Sequence, residues 1–365
     1  MQKQVNELII HHDICDAETL PGSFYGDYHI YARSKEEIFA RTWQLVSHKE
    51  AVRVPGHVFP FTLLEGCLDE PLLLTRDASD NIHCISNVCT HRGMLVCEHP
   101  GVQKNLRCRY HGRRFGLDGS FQSMPECSAA RNFPRPSDSL PSLQVEDFGD
   151  FLFTSLNPAM PFSEMFQEVR QRVGWMPLGE LIPDPNSSRD YLVRCNWALY
   201  CENYLEGFHI PYVHSELNDM LDYGEYTAEV YRYSNLQVGR AKDGELSFDL
   251  PPSSPDYGQR IGAYYFWLFP NLMLNFYPWG LSVNIVKPLS VDRTRVSFLT
   301  YTWNNSNPPH DHTALLSRVE REDEAIVEAV NRGVRSRLYK RGRFSPNRET
   351  CCHHFHRLLS EFLQA

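Results

Sequence analysis

The sequence predicts an α+β protein of two domains: a small antiparallel β unit, and a larger unit whose antiparallel sheet wraps a long C-terminal helix. Three observations predict it. Short apolar or alternating runs divided by Gly, Pro, Asp and Asn fill residues 49–155, the pattern of a hairpin-rich domain. Longer strand-like runs follow at 227–239, 262–277, 280–289 and 294–303. Helical periodicity then takes over at about 313–340 and 349–363. Strands laid around a helix leave a cavity between the two layers.

In chain order, SKEEIFARTWQLVSH at 34–48 predicts a helix, with Ser34 as cap and Glu37 in the capping-box position. The runs VFPFTLLEG, PLLLTRD, IHCISNVC and LQVEDFGDFLFTSL predict strands of the small domain. Residues 156–166 hold two prolines and read as a connector. Residues 163–173 look helical, 190–201 strand-like, and 202–222 helical but interrupted. The expected domains are 1–41 as an N-terminal segment of the larger unit, 42–155 as the small β domain, and 156–365 as the remainder.

The 365 residues are 42% hydrophobic and 22% charged, a globular balance that excludes disordered and fibrous classes. The net charge of −9 argues against a nucleic-acid partner or a polybasic membrane patch. No apolar run reaches the ~18–20 residues of a membrane span. The N-terminus lacks the features of a signal peptide, so a cytoplasmic enzyme is expected. Eleven cysteines without a signal peptide read as metal ligands or buried thiols rather than a disulfide framework.

Cys89-Thr-His91-Arg-Gly93 and Cys108-Arg-Tyr-His111-Gly112 each place a thiolate and an imidazole on a tight turn ending in glycine. Two Cys and two His can hold tetrahedral zinc. They can also hold a Rieske [2Fe–2S] cluster, where two His replace two Cys on one iron. Zinc fingers keep Cys with Cys and His with His, whereas here the pairs are mixed, which favours the cluster.

A second set lies further on. His209 and His214 would stand ~140° apart on a regular helix, but Pro211 between them disturbs it. A broken helix permits both imidazoles to meet. Asp323 falls within an apolar helical stripe of Leu316, Val319, Ile326, Val327 and Val330. A buried carboxylate is costly unless a cation or donors compensate it, and it completes a 2-His-1-carboxylate triad. A paired or partly exposed Asp among Glu320, Arg321, Glu322 and Glu324 is the alternative.

The first motif, with Leu117-Asp118-Gly119, resembles the Rieske domain of the ring-hydroxylating oxygenases. Asn196-Trp197, Glu202-Asn203-Tyr204-x-Glu206-x-x-His209-x-x-x-x-His214 and Glu322-Asp323 resemble the catalytic motif of the same Rieske non-haem iron oxygenases. The resemblance covers nearly the whole chain. It implies a Rieske domain inserted near the N-terminus of a helix-grip, START-like sheet. It implies a [2Fe–2S] cluster on Cys89, His91, Cys108 and His111, and one mononuclear Fe(II) on His209, His214 and Asp323. It implies a ring-shaped homotrimer in which Glu206 bridges the iron site to His111 of a neighbour. Asn203, in the same motif, is a second catalytic candidate. The chain departs from the family at Arg113, where an aromatic residue is common, and at Glu206, where Asp is commoner. Glutamate occurs there in relatives acting on quaternary ammonium compounds.

There is no G-x-G-x-x-G fingerprint after a strand and no plant-type ferredoxin Cys run. The implied role is a terminal oxygenase component using O2 and electrons from a separate NAD(P)H-dependent reductase or ferredoxin. Residues 264–279, YYFWLFPNLMLNFYPW, are half aromatic. Alternation sets Tyr264 and Phe266 on one face, and Tyr265, Trp267 and Phe269 on the other. Some of these rings are core; others would line the pocket, suiting a trimethylammonium head or a flat ring. The reading leans to hydroxylation and demethylation of an N-methylated or quaternary ammonium compound. Mono- or dihydroxylation of an aromatic ring is one alternative, and a Rieske electron-transfer protein without oxygenase activity is another.

Overall fold

The computed structural model describes residues 8–214, 227–303 and 310–364, the side chains of 310–317 excepted. The chain divides into two compact units: Ala40–Ala159, and the segments up to Phe39 and from Met160 onward.

Helix α1, Tyr28–Glu37, is capped by Asp27, whose carboxylate accepts from the His29 and Ile30 amides. The helix expected over 34–48 is therefore displaced. Ser34 sits inside α1 and donates to the Ile30 carbonyl at 2.9 Å, a back-bond that leaves it no capping role. Residues 44–48 pair as a strand instead, because tertiary pairing outweighs a weak local helical preference.

The Ala40–Ala159 unit is made of eleven short strands in three antiparallel sheets. Strand β1 is Gln44–His48, β2 His57–Leu63, β3 Glu70–Arg76, β4 Ile82–Ser86 and β5 Gly101–Val102. Strand β6 is Leu106–Arg107, β7 Arg114–Phe115, β8 Phe121–Ser123, β9 Ser142–Leu143, β10 Val145–Phe148 and β11 Phe151–Thr154. The orders are β1-β11-β10, β5-β2-β3-β4-β9 and β6-β7-β8. One core of Val58, Leu73, Ile85, Leu106 and Phe115 underlies Cys89 and Cys108. The unit begins and ends side by side: the amides of Asn157 and Ala159 donate to the carbonyls of Ala40 and Arg41.

In the other unit, helix α2, Phe162–Val173, buries Phe162, Met165, Phe166, Val169 and Val173 on one face. Strand β12, Leu181–Val193, leads to helices α3, Trp197–Tyr204, and α4, Ile210–Val213. The strand expected over 190–201 thus ends at Val193. Asn196 starts α3 by accepting from the Ala198 amide at 3.0 Å, a strong N-terminal signal. Of the interrupted segment expected at 202–222, residues 215–222 lie outside the described residues.

The expected strand 227–239 is a hairpin of β13, Thr227–Val230, and β14, Ser234–Arg240. Likewise 262–277 is a hairpin of β15, Ile261–Leu268, and β16, Leu272–Tyr277, turning at Phe269-Pro270-Asn271. Proline cannot continue a central ladder. Strands β17, Gly280–Ser290, and β18, Arg293–Trp303, complete a seven-stranded antiparallel sheet, β12-β18-β17-β16-β15-β14-β13. Helix α5, His310–Gly333, stops at a glycine rather than running to 340, and α6, Thr350–Gln364, follows. Trp197 and Trp267 both meet Phe355 of α6 edge to face, so the sheet, α3 and α6 share one aromatic core. No described helix is long and apolar enough to cross a membrane.

Candidate metal centres

In the Ala40–Ala159 unit, two loops of like geometry face each other. The Cys89 amide donates to the Met94 carbonyl, and Gly93 donates back to Cys89; Cys108, Arg113 and Gly112 repeat the arrangement. Gly93 and Gly112 have φ of +72° and +76°, the left-handed region where a side chain is strained. The loops bring the Nδ1 atoms of His91 and His111 to 3.1 Å. The thiols of Cys89 and Cys108 are close enough for each to act on the other. The four donors are thereby sorted into a sulfur pair and a nitrogen pair, the division a Rieske cluster needs, and they fit that group. The cysteines are buried while His91 is exposed, which puts the imidazole side at the surface. Burial pushes the Cys89 thiol up and, with His111 nearby, holds His91 down.

Arg113, the departure from the family pattern, lies among Phe115, Phe121 and Phe133 with its guanidinium 4.9–5.7 Å from their ring centres. It pairs with Asp138 at 2.6 Å. Thr90 donates to the Asp138 carbonyl, so this arginine anchors the segment beside the first loop.

In the other unit, helix α3 and the turn after it carry Asn203, Glu206 and His209. Pro211, tolerated in the first turn of α4, prevents that helix from continuing the one before it, and α4 spans four residues between His209 and His214. The two imidazoles therefore meet, with ring centres 5.1 Å apart. Asp323 on α5 approaches both: its Oδ1 lies 2.9 Å from His214 Nε2 and 3.5 Å from His209 Nε2. One ligand atom from each residue falls within 4.8 Å of the others. Three donors on one side of a cavity fit a mononuclear iron with open positions. Each donor is oriented from behind, as metal ligands usually are. Glu206 Oε1 accepts from His209 Nδ1 at 2.7 Å, Glu322 Oε2 holds His214 Nδ1 at 2.7 Å, and Asn203 donates to Asp323 at 3.1 Å.

Burial opposes charge on His209, yet Asp323 and Glu206 outweigh it and lift the imidazole to about 9. His214 is raised by the same balance, through Asp323 and Glu322. Burial works against the Asp323 carboxylate, and the two histidines overcome it and lower its pKa.

The stripe proposed for α5 needs correction. Ile326 and Val330 are exposed and the Leu316 side chain lies outside the description. Val319 and Val327 of that stripe do face inward, together with Glu320, Asp323, Glu324 and Asn331, so the face is more polar than the stripe read from sequence.

A cavity of about 150 Å³ opens at the triad. Its sheet wall is one cross-strand row, Gln237–Tyr265–Asn275–Ser282, whose members pair directly across β14 to β17. Tyr277 and Asn284 stand two residues further along the same face. Among the aromatic run, Tyr265 and Tyr277 line the cavity, while Trp267 and Phe269 pack beneath α6. Glu322's hold on His214 and the row of buried amides were missed by sequence reasoning. The available signal was Asn275, Asn284 and Gln237 interrupting strands that are otherwise apolar.

Comparison with known proteins agrees with this architecture. Residues 42–134 match the Rieske [2Fe–2S] domain, and residues 184–365 the ring hydroxylating alpha subunit catalytic domain. Choline monooxygenase of Arabidopsis thaliana is 30% identical over 95% of this chain and 83% of its own. The chain belongs to the Rieske ring-hydroxylating oxygenases. The carnitine monooxygenase oxygenase subunit of Acinetobacter pittii is 27% identical, covering 89% of this chain and 87% of that one. A solved quaternary ammonium Rieske monooxygenase superposes with a TM-score of 0.78 at 23% identity, covering 98% of this chain and all of that one. As a Rieske oxygenase the chain is an enzyme with a [2Fe–2S] cluster and one mononuclear iron, the oxygenase subunit of a system that needs a reductase.

Proposed function

We propose that this oxygenase inserts oxygen next to nitrogen in an N-methylated or quaternary ammonium compound. The observation that carries the reading is the cavity itself: tyrosine rings and carboxylates beside a 2-His-1-carboxylate triad, a lining suited to a small onium group. The named relatives act on choline and carnitine, which supports it. One oxygen atom of O2 enters a C–H bond of the substrate and the other leaves as water, consuming two electrons and two protons. Hydroxylation on an N-methyl carbon releases the methyl as an aldehyde.

In this reading Cys89, His91, Cys108 and His111, within residues 42–155, hold the cluster, and His209, His214 and Asp323 hold the iron. When bound, the iron activates O2 with electrons passed from the cluster. Glu206 orients His209 and, in a homotrimer, accepts a further hydrogen bond from His111 of the neighbouring subunit. Asn203 fixes the Asp323 carboxylate. Electrons come from a separate NAD(P)H-dependent reductase or ferredoxin, and the cytoplasm is the proposed location.

The test is a screen of reduced enzyme with O2 against methylated amines, quaternary ammonium compounds and aromatic hydrocarbons. Product from an onium compound supports the proposal. Product from aromatics alone sinks it in favour of ring hydroxylation.

A further inference from the structure

The charges lining the cavity are strongly one-sided. Glu206, Glu320 and Asp323 face it, and no Lys or Arg does among the described residues. Glu206 and Asp323 are engaged by the two histidines. Glu320 is not: its partner is the Tyr191 hydroxyl. The nearest cation influencing it, Arg189, is exposed and outside the lining. A half-buried carboxylate hydrogen-bonded to a phenol, with no cation in the lining beside it, favours a cationic neighbour, and burial pushes it up to about 7.

The opposite wall answers the other half of an onium group. Tyr265 and Tyr277 meet edge to face at 5.9 Å, and Tyr277 stacks flat on Trp279 at 4.9 Å, so the rings are held in place for methyl groups. Ser282 donates to Asn284 at 2.9 Å on the same wall, a polar pair suited to a hydroxyl. The 150 Å³ cavity is below the ~300–1,000 Å³ of sites for drug-sized ligands.

We infer that the cavity selects a small N-methylated cation that carries no carboxylate, with Glu320 as its counter-charge. The inference rests on the functional reading above and narrows it. A betaine would bring its own carboxylate beside Glu320 in a cavity with no Lys or Arg among the described residues, its two histidines already engaged by Glu206, Glu322 and Asp323, so zwitterions are disfavoured although they carry the same trimethylammonium head.

The test compares three ligands of similar size on the metal-loaded enzyme by titration calorimetry: choline, glycine betaine and the neutral isostere 3,3-dimethylbutan-1-ol. Wild type should bind choline about tenfold or more tightly than either of the others. Glu320→Gln should abolish the preference for choline over the neutral alcohol and leave the alcohol's affinity unchanged, with cluster absorption and iron content intact. Equal or tighter binding of the betaine overturns the inference. So does an unchanged choline-to-alcohol ratio in Glu320→Gln. If that variant does not fold, the wild-type series alone decides. Turnover separates the two layers: demethylation of the betaine in preference to choline removes only this inference, whereas turnover of aromatics with no reaction of either onium compound removes the functional reading as well.

Discussion

At the scale of single residues, the proposed iron site depends on carboxylates that differ in what they touch. Asp323 points its Oδ1 at both imidazoles, whereas Glu206 and Glu322 hold the far sides of those rings. Asp323→Ala should therefore lose the mononuclear iron and all turnover while cluster absorption persists, measured as iron per chain and visible spectrum. Retained activity would move the ligand role to Glu320 or Glu322. Glu206→Gln should act differently. Both oxygens of Glu206 receive hydrogen bonds from His209, one from Nδ1 and one from the backbone amide. Glutamine has one acceptor, so a buried donor is left unmatched at a cost of ~1–3 kcal/mol. Both metals should remain bound, and oxidation of the reduced cluster on single-turnover mixing with O2 and substrate should slow. A wild-type rate would end the bridging role.

At the scale of elements, the site is delivered by where helices begin and strands pair. Asn196 accepts from the Ala198 amide, and its own amide donates to the Tyr25 and Val291 carbonyls. It thereby fixes the start of α3, and lies seven and ten residues ahead of Asn203 and Glu206. Asn196→Ala should lower stability by ~1–2 kcal/mol through the lost cap, seen as a lower denaturation midpoint, with loosened iron retention and an unchanged cluster spectrum. Elements with strong local signals were legible: β17, β18 and α6 lie where periodicity put them. The helix read over 34–48 was not, because the choice between Asp27 and Ser34 as cap, and between helix and β1, is made by pairing with β11 far along the chain. The candidate metal ligands were legible because the Cys-x-His, Cys-x-x-His and two-His patterns are local. The amide row of the cavity was not, since Gln237, Tyr265, Asn275 and Ser282 become neighbours only through sheet register.

At the scale of the whole molecule, the two candidate metal sites have disjoint donors in separate compact units. Cys108→Ala should bleach the cluster and leave mononuclear iron bound, one iron per chain remaining; loss of both with retained fold would contradict this. Global stability should also carry a pH signature from α6. Burial, with Arg357 beside it, holds His354 down to about 4, and Asn235 bonds its Nδ1 at 2.9 Å. The folded imidazole stays neutral where the unfolded one, near 6.5, takes a proton. The unfolded state therefore binds more protons between about pH 6.5 and 4, and stability falls as pH drops through that window. His354→Gln should flatten this part of the curve relative to wild type in chemical denaturation; parallel curves would discard the assignment.

The adjacent ends of the Ala40–Ala159 unit make it a cassette. Its entry and exit strands, β1 and β11, are hydrogen-bonded neighbours, and the amides of Asn157 and Ala159 close the neck on Ala40 and Arg41. A segment that leaves and returns at one point can be excised, transplanted or replaced without rethreading its host, the circumstance in which domain insertion is tolerated. Electron delivery and oxygen chemistry could thus have been joined by a single splice into a loop, and a laboratory exchange of this cassette between oxygenases would need only two junctions.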